Sequence, residues 1–199
     1  MLDHMSKLKI KNFLGIRQPE GNMEDVIPVV VRACEKMGKE RVGALIVFAR
    51  DSRLDEYFKT GTMIEAKVSE PLIRNIFFPK AALHDGAMVI RDGRVAAAAC
   101  VLPLSDRTHI GDDLGTRHRA AAGLSEVTDA VVVVVSEETG AISFAIGGEL
   151  KRKLDPQTLE LLLKTALCPP EEKIEENPVI KKICQKLQKK DKGGKDSEE

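Results

Sequence analysis

The feature that most constrains the fold is a run of five consecutive valines, Val131–Val135. β-Branched residues favour strands, and an apolar run without alternating polar residues is typical of a strand buried on both faces of a sheet. Residues 43–49 form a second such run and predict another buried strand. Residues 129–135 and 141–146 flank an acidic turn, so they are predicted to pair as a hairpin.

Turn and helix signals separate these strands. Residues 87–90 and 95–101 flank the pair Asp92-Gly93, which predicts another hairpin. Helices are predicted over residues 25–37, 69–78, 117–124 and 155–167. In the first of them, Asp25 is expected to cap the start, Pro28 to lie in the first turn and Gly38 to end the helix. Strands interleaved with helices indicate an α/β fold, a single domain with a mixed central β-sheet flanked by helices.

Composition excludes several classes of function. The chain has 31 basic and 31 acidic residues, so it has no overall field that would hold a nucleic-acid backbone or an anionic membrane. Its longest apolar stretches, residues 95–104 and 130–135, are far shorter than a membrane-spanning helix. The four scattered cysteines fit free thiols in a reducing cytoplasm better than a zinc site or a disulfide framework. We therefore expect a cytoplasmic domain that binds no nucleic acid.

The chain divides into three parts by composition. Residues 1–24 carry mixed charge and are predicted to be an arm or linker, and residues 25–168 hold the predicted domain. Residues 169–199 form a charged tail in which glutamates are followed by lysines. This tail is predicted to be either disordered or a short amphipathic helix, and it leaves room for a regulatory partner.

The first candidate site segment is Leu-His-Asp-Gly-Ala at residues 83–87, where a predicted strand begins. Asp85 can bind a hard divalent cation, with His84 beside it. Gly86 and Ala87 have almost no side chain, so a ligand could approach the backbone closely. The alternative for this segment alone is an ordinary turn.

The second segment, residues 114–121, places a glycine-led turn at the start of a helix. Exposed backbone N–H groups in this turn suit phosphate oxygens, Arg117 adds a bidentate cation and Thr116 adds a hydroxyl. Because successive helical residues lie about 100° apart, Arg117 and Arg119 cannot both face one phosphate. One of them is expected to brace the loop or to reach a neighbouring subunit. Solvated arginines at a helix start are the alternative interpretation.

The third segment is the acidic turn Ser136-Glu137-Glu138, which follows the valine strand. Together the three segments resemble the diadenylate cyclase (DAC) domain family, whose marks are an Asp-Gly-Ala motif and an Arg-His-Arg motif. The resemblance extends over residues 43–167 and predicts a DAC-type fold. It is closest to the membrane-anchored branch, from which this chain differs by lacking transmembrane helices. The chain is then either a naturally soluble member or the cytosolic part of an anchored protein.

The resemblance implies a metal-dependent enzyme that joins two ATP molecules into cyclic di-AMP and releases two pyrophosphates. Catalysis would fall to Asp85 and Arg117, with Mg²⁺ or Mn²⁺ on Asp85 and His84. The residues expected to contact ATP are Gly86, Ala87, Leu102, Gly115, Thr116, Arg117, His118, Arg119, Ser136, Glu137 and Glu138. The two-fold symmetry of the product suggests a homodimer, transient or stable, or a higher homo-oligomer.

Two other functions fit part of the pattern. His84-Asp85 could belong to a metal phosphohydrolase, although the remaining histidines (His4, His109 and His118) supply few further ligands. A non-catalytic module that senses ATP or cyclic di-AMP would keep the same binding residues. Binding without turnover distinguishes that module from a cyclase.

Overall fold

The computed structural model describes residues 22–52, 54–106 and 115–168 of the chain. At their centre is a seven-stranded mixed sheet. The strands are β1 (Ala44–Phe48), β2 (Thr62–Lys67), β3 (Ala87–Arg91), β4 (Arg94–Cys100), β5 (Val131–Val135), β6 (Ile142–Ile146) and β7 (Glu149–Leu154). The helices in the described residues are α1 (Met23–Glu40), α2 (Asp55–Phe58), α3 (Glu70–Ile76), α4 (Thr116–Val127) and α5 (Pro156–Leu167). The predicted α/β fold is confirmed.

The strand order is β2-β4-β3-β1-β5-β6-β7, with the predicted buried strands at the centre. β1 pairs in parallel with β3 and antiparallel with β5. Every residue of β1 and β5 is buried. Leu45, Val132 and Val134 share a core with Leu124 of α4. The alternating residues of β1 and β5 point to the opposite face of the sheet. They are buried as well, because α1 contacts β5 and β6 on that face and packs against α5.

Both predicted hairpins are present, β3–β4 and β5–β6. The predicted helix at residues 69–78 is α3, and Ser69 caps it by accepting a hydrogen bond from the Leu72 N–H at 3.4 Å. The helices expected at residues 117–124 and 155–167 are α4 and α5. No sequence pattern predicted α2 or the two edge strands, β2 and β7.

The predicted limits of the first helix are wrong at both ends. Asn22, not Asp25, caps α1, because its side chain already accepts a hydrogen bond from the N–H two residues later, at 3.1 Å. Pro28 therefore lies in the second turn, where its missing N–H removes one helical hydrogen bond. The helix runs through Gly38 and ends where Arg41 adopts a left-handed conformation, with φ of 54°. Glycine in a helix costs about 1 kcal/mol and does not by itself end one.

Each edge strand contains an irregularity. Pairing between β2 and β4 shifts register between Met63 and Ala66, and pairing between β6 and β7 shifts between Ile142 and Phe144. Glu65 and Lys153, which lie in these two stretches, have positive φ angles of 49° and 56°. Both edges of the sheet are therefore bulged.

The predicted arm and tail lie outside the described residues, except for residues 22–24, which cap and begin α1. The proposed domain limits at residues 25 and 168 stay a prediction. Across the ranges that the structure covers, none of the helices combines the length and apolar character needed to cross a membrane.

Candidate active site

Strand pairing brings the first and third candidate segments to the same end of the central strands. Because Ala44 at the start of β1 pairs with Val135, the start of β1 and the end of β5 lie side by side. β3 runs parallel to β1, so its first residue, Ala87, lies there too, paired with Cys100 at the end of β4. The turn after β5 and the segment before β3 are therefore neighbours, although they are about 50 residues apart in sequence.

A cleft of about 680 Å³ opens at this end of the central strands. Its volume lies within the range of roughly 300–1,000 Å³ that is typical of small-molecule sites. The predicted site residues that line it are Asp85, Gly86, Leu102, Gly115, Thr116, Arg117, His118, Ser136, Glu137 and Glu138. Three others, His84, Ala87 and Arg119, are not part of its lining. The structure thus brings all three segments together but does not place every predicted residue in the cleft.

In the first segment, Asp85 is the exposed residue that faces the cleft. Gly86 has a φ of 115°, and a Cβ there would lie 2.7 Å from the carbonyl carbon of Ala99. The glycine is therefore required by its close approach to β4. Ala87 is fully buried in the sheet. The Nδ1 of His84 lies 2.6 Å from the Ala81 carbonyl oxygen, a local contact within the loop.

Arg117 joins the second segment to the third. Its Nη1 donates to Oε2 of Glu137 at 2.7 Å. Only 22% of the Arg117 side chain is exposed, whereas that of Glu137 is 61% exposed. Gly115 precedes the first turn of α4, whose leading N–H groups have no partner within the helix. The helix start therefore offers backbone donors beside an oriented guanidinium.

The two remaining members of the Arg-His-Arg motif have structural partners. His118 is buried, and its Nε2 lies 3.2 Å from the Ser143 Oγ on β6. The guanidinium of Arg119 donates to the Ser105 carbonyl oxygen at 3.4 Å, and the Ser105 N–H donates to the Arg119 carbonyl at 3.0 Å. Arg119 therefore braces the loop of residues 101–106, which supplies Leu102 to the cleft. Arg117 and Arg119 thus have different partners.

Comparison with known protein families identifies the family of this chain. Residues 31–150 match the DAC family, described as DisA bacterial checkpoint controller nucleotide-binding. The chain belongs to the DAC family. The matched region contains all three segments of the cleft.

This DAC chain is similar to proteins of several bacteria. It is 46% identical over 145 residues to the cyclic di-AMP synthase CdaA of Bacillus subtilis, and 47% identical over 144 residues to a diadenylate cyclase of Listeria monocytogenes. These alignments cover 73% and 72% of the chain but 53% of each relative, so the chain spans about half the length of these curated proteins. A crystal structure of a double mutant of DacA from Staphylococcus aureus matches with a TM-score of 0.70 and 47% identity, over 72% of this chain and 95% of that one.

The DAC cleft also contains residues that sequence reasoning missed. Arg152 and Lys153 of β7 line it, together with an apolar wall that includes Leu45, Val134 and Leu104. The apolar residues gave no signal, because a core position and a cleft wall look alike in sequence. Residues 151–153 read Lys-Arg-Lys, which marks a basic run but does not show which of its members reach the cleft.

Charges of both signs meet in the cleft. Asp85, Glu137 and Glu138 supply three carboxylates, and Arg117, Arg152 and Lys153 supply three cations. Cys100 also lines the cleft, and burial raises the pKa of its thiol to about 11, so it is a neutral part of the wall. Among the described residues, no three His, Cys, Asp or Glu side chains converge as a metal-binding group.

Proposed function

We propose that this chain is a diadenylate cyclase, which condenses two ATP molecules into cyclic di-AMP and releases two pyrophosphates. The names of its relatives support this activity. The observation that carries the proposal is the single cleft in which Asp85, the start of α4 and Glu137 meet. A carboxylate, a set of phosphate donors and an oriented arginine are what phosphoryl-group chemistry requires of a protein.

In each half of the reaction, the ribose 3′-oxygen of one ATP attacks the α-phosphorus of the other. A bond forms between that oxygen and the α-phosphorus, the bond from this phosphorus to the oxygen that bridges it to the β-phosphate breaks, and the hydroxyl proton passes to water. Pyrophosphate leaves with the bonding electron pair. Repetition in the opposite sense closes the ring, so two phosphodiester bonds form and two pyrophosphates are released.

The helix start and Arg117 hold the phosphates in this proposal. The N–H groups at Thr116 and Arg117 point along the axis of a 12-residue helix, whose dipole favours an anion at this end. The ion pair with Glu137 at 2.7 Å holds the guanidinium in position before substrate arrives. Because Arg119 and His118 are engaged with Ser105 and Ser143, they position the loop and the helix rather than the phosphates.

Asp85 is the residue proposed to hold Mg²⁺ or Mn²⁺. Both are hard cations that accept carboxylate oxygens, and Mg²⁺ is commonly bound by one or two carboxylates with substrate phosphates completing its shell. The cleft fits this mode, because Asp85 is exposed there and the described residues form no larger ligand cluster. When bound, the metal would neutralise phosphate charge and favour ionisation of the 3′-hydroxyl. His84 stays a proposed accessory ligand.

In the part of the chain that the structure describes, these segments form one such cleft, and the product contains two equivalent AMP units. We therefore propose that two copies face each other during catalysis, each with one ATP. The thin supply of converging ligands in the described residues disfavours a phosphohydrolase of the His-Asp type. Binding without turnover would instead indicate a nucleotide sensor.

The test uses the purified chain with ATP and either Mg²⁺ or Mn²⁺, and identifies products by chromatography and mass spectrometry. We expect cyclic di-AMP and pyrophosphate from the wild type. Asp85→Asn should fold and lose about a hundredfold to a thousandfold in rate, the usual cost of removing one key electrostatic group. Asp92→Asn is the matched control, because Asp92 lies in the turn at the other end of β3, outside the cleft lining.

Each other outcome has a definite meaning. ADP or AMP as the sole product would replace the cyclase with a hydrolase. ATP binding without any product would favour the sensor. Full activity in Asp85→Asn would remove Asp85 from its proposed role, while the cyclase reaction itself would stand.

A further inference from the structure

We propose that Arg152 and Lys153 form a second phosphate-binding element of the cleft, which recognises the polyphosphate chain of the nucleotide and separates ATP from AMP. The inference rests on the proposed function, since it assigns part of the substrate to residues of the same cleft. It arises from the backbone of β7, an edge strand whose irregular pairing directs two successive basic residues to one face.

The register of the β6–β7 hairpin is set by its turn. The loop has two residues, Gly147 and Gly148, with positive φ angles of 58° and 80°, and such tight turns fix the pairing of both strands. From this turn Ala145 pairs with Leu150 and Phe144 with Lys151. The next observed pair is Ile142 with Leu154. Arg152 and Lys153 are therefore both opposite one residue of β6, Ser143.

This two-against-one arrangement is a β-bulge, and its effect follows from the alternation of faces. Successive residues of a regular strand point to opposite faces, so Arg152 and Lys153 would be on opposite sides of the sheet. A bulge interrupts the alternation and can redirect a side chain. Here both residues line the cleft, whereas Lys151, opposite buried Phe144, does not.

Lys153 has a φ of 56°, a left-handed conformation that costs energy for a residue with a Cβ. Packing does not explain it, because the Lys153 side chain is exposed. Bulges next to active sites commonly redirect side chains.

The position of the bulge connects it to the proposed phosphate site. Ser143, the residue opposite the bulge, contacts His118 at 3.2 Å between Oγ and Nε2. His118 follows Arg117 in the first turn of α4. The basic pair is therefore near the helix start that is proposed to bind phosphate. Arginine offers a bidentate donor fork and lysine a compact charge, and both suit phosphate oxygens.

The test measures binding by calorimetry with 3′-deoxy-ATP, which lacks the attacking hydroxyl and so cannot react, and with AMP. We expect Arg152→Gln/Lys153→Gln to bind 3′-deoxy-ATP about tenfold to a hundredfold more weakly, since charge-assisted hydrogen bonds are lost. Affinity for AMP should change less than about twofold, because AMP lacks the β- and γ-phosphates. Lys151→Gln is the control matched to Lys153→Gln, because each removes one charge from the same strand. Lys151→Gln should bind 3′-deoxy-ATP as the wild type does, whereas Lys153→Gln should bind it more weakly.

The proposal would be overturned by unchanged 3′-deoxy-ATP affinity in the double variant, by an equal loss for AMP, or by an equal loss in Lys151→Gln. Equal losses in Lys151→Gln would indicate a general effect of charge. A melting temperature measured without ligand separates binding from folding, and it should not move for these exposed residues. Product analysis of the wild type is scored separately: absence of cyclic di-AMP would remove the proposed cyclase, whereas normal cyclisation with unchanged binding in the double variant would remove only the role of the basic pair.

Discussion

Replacement of Gly123 by alanine tests how the cleft loop is seated on α4. Gly123 lies inside α4, where alanine would normally stabilise a helix by about 1 kcal/mol. In this structure, however, a Cβ on Gly123 would lie 2.4 Å from the Pro103 carbonyl oxygen, 2.6 Å from the Ser105 nitrogen and 2.8 Å from the Leu104 carbonyl carbon. All three are backbone atoms, so no side chain can rotate away.

The size of the effect follows from these distances. To restore an ordinary contact of 3.4 Å, the loop must retreat by about 1.0 Å. That movement would weaken the hydrogen bond between the Ser105 N–H and the Arg119 carbonyl, now 3.0 Å, at a cost of about 1 kcal/mol. Overpacking adds about 1–3 kcal/mol. After the gain in helix propensity is subtracted, Gly123→Ala should reduce the free energy of unfolding by about 1–3 kcal/mol, which lowers the Tm by roughly 3–10 °C.

The assay is thermal and urea unfolding, followed by calorimetric titration with 3′-deoxy-ATP. Leu102 and Leu104 of this loop line the cleft. Displacement of the loop should therefore also lower the affinity for nucleotide. Leu161, which is 65% exposed in α5, supplies the control: comparison of Leu161→Ala with Leu161→Gly measures helix propensity without close contacts. The opposite outcome is that Gly123→Ala raises the free energy of unfolding by as much as Leu161→Ala exceeds Leu161→Gly. In that case the contact between Gly123 and the backbone of residues 103–105 does not explain the glycine, and the reasoning fails.

Two further predictions concern other sites. Desolvation opposes ionisation of Asp129, but hydrogen bonds from Ser52 and Asp51 outweigh it and lower the pKa of the carboxyl. Its stabilising effect is therefore present above the unfolded pKa of about 3.9 and is lost as the pH falls through the lower folded pKa. In urea titrations, Asp129→Asn should cost about 1 kcal/mol at pH 7, and the cost should shrink as the pH falls through the folded pKa; a pH-independent loss would contradict this. Burial raises the pKa of Cys34 to about 12 and that of Cys100 to about 11. Iodoacetamide at pH 7.5 should therefore modify both thiols only after unfolding, as measured by peptide mass spectrometry, and rapid labelling of either thiol in the native protein would contradict its burial.

The central strands could be predicted because burial on both faces leaves a strong pattern. The valines of β5 and the apolar run of β1 are uninterrupted, and the Asp92-Gly93 turn adds a local signal for the β3–β4 hairpin. Edge strands lack this pattern. β2 and β7 are mostly exposed, so Thr62–Lys67 and Glu149–Leu154 mix polar and apolar residues and contain no continuous apolar run.

The candidate site was predictable where residues are unusual for their position. An aspartate at the start of a buried strand and an Arg-His-Arg turn at a helix start stand out in sequence, and both segments reach the cleft. Long-range partners were beyond reach: neither the Glu137 partner of Arg117 nor the Ser105 partner of Arg119 follows from spacing. The contribution of Arg152 and Lys153 depends on a register shift that no local pattern encodes.

The bulges in β2 and β7 also bear on how copies of the chain can associate. An exposed, straight edge strand is a template for further strands, and it leads to sheets that extend from one molecule to the next and to aggregation. Here Glu65 and Lys153 interrupt the two terminal ladders, and both carry charge. Across the residues that the structure describes, the two outer strands of the sheet are therefore poor templates for pairing with a strand of another molecule. The face-to-face pairing of two copies proposed above would then use the surface that bears the cleft rather than an outer strand.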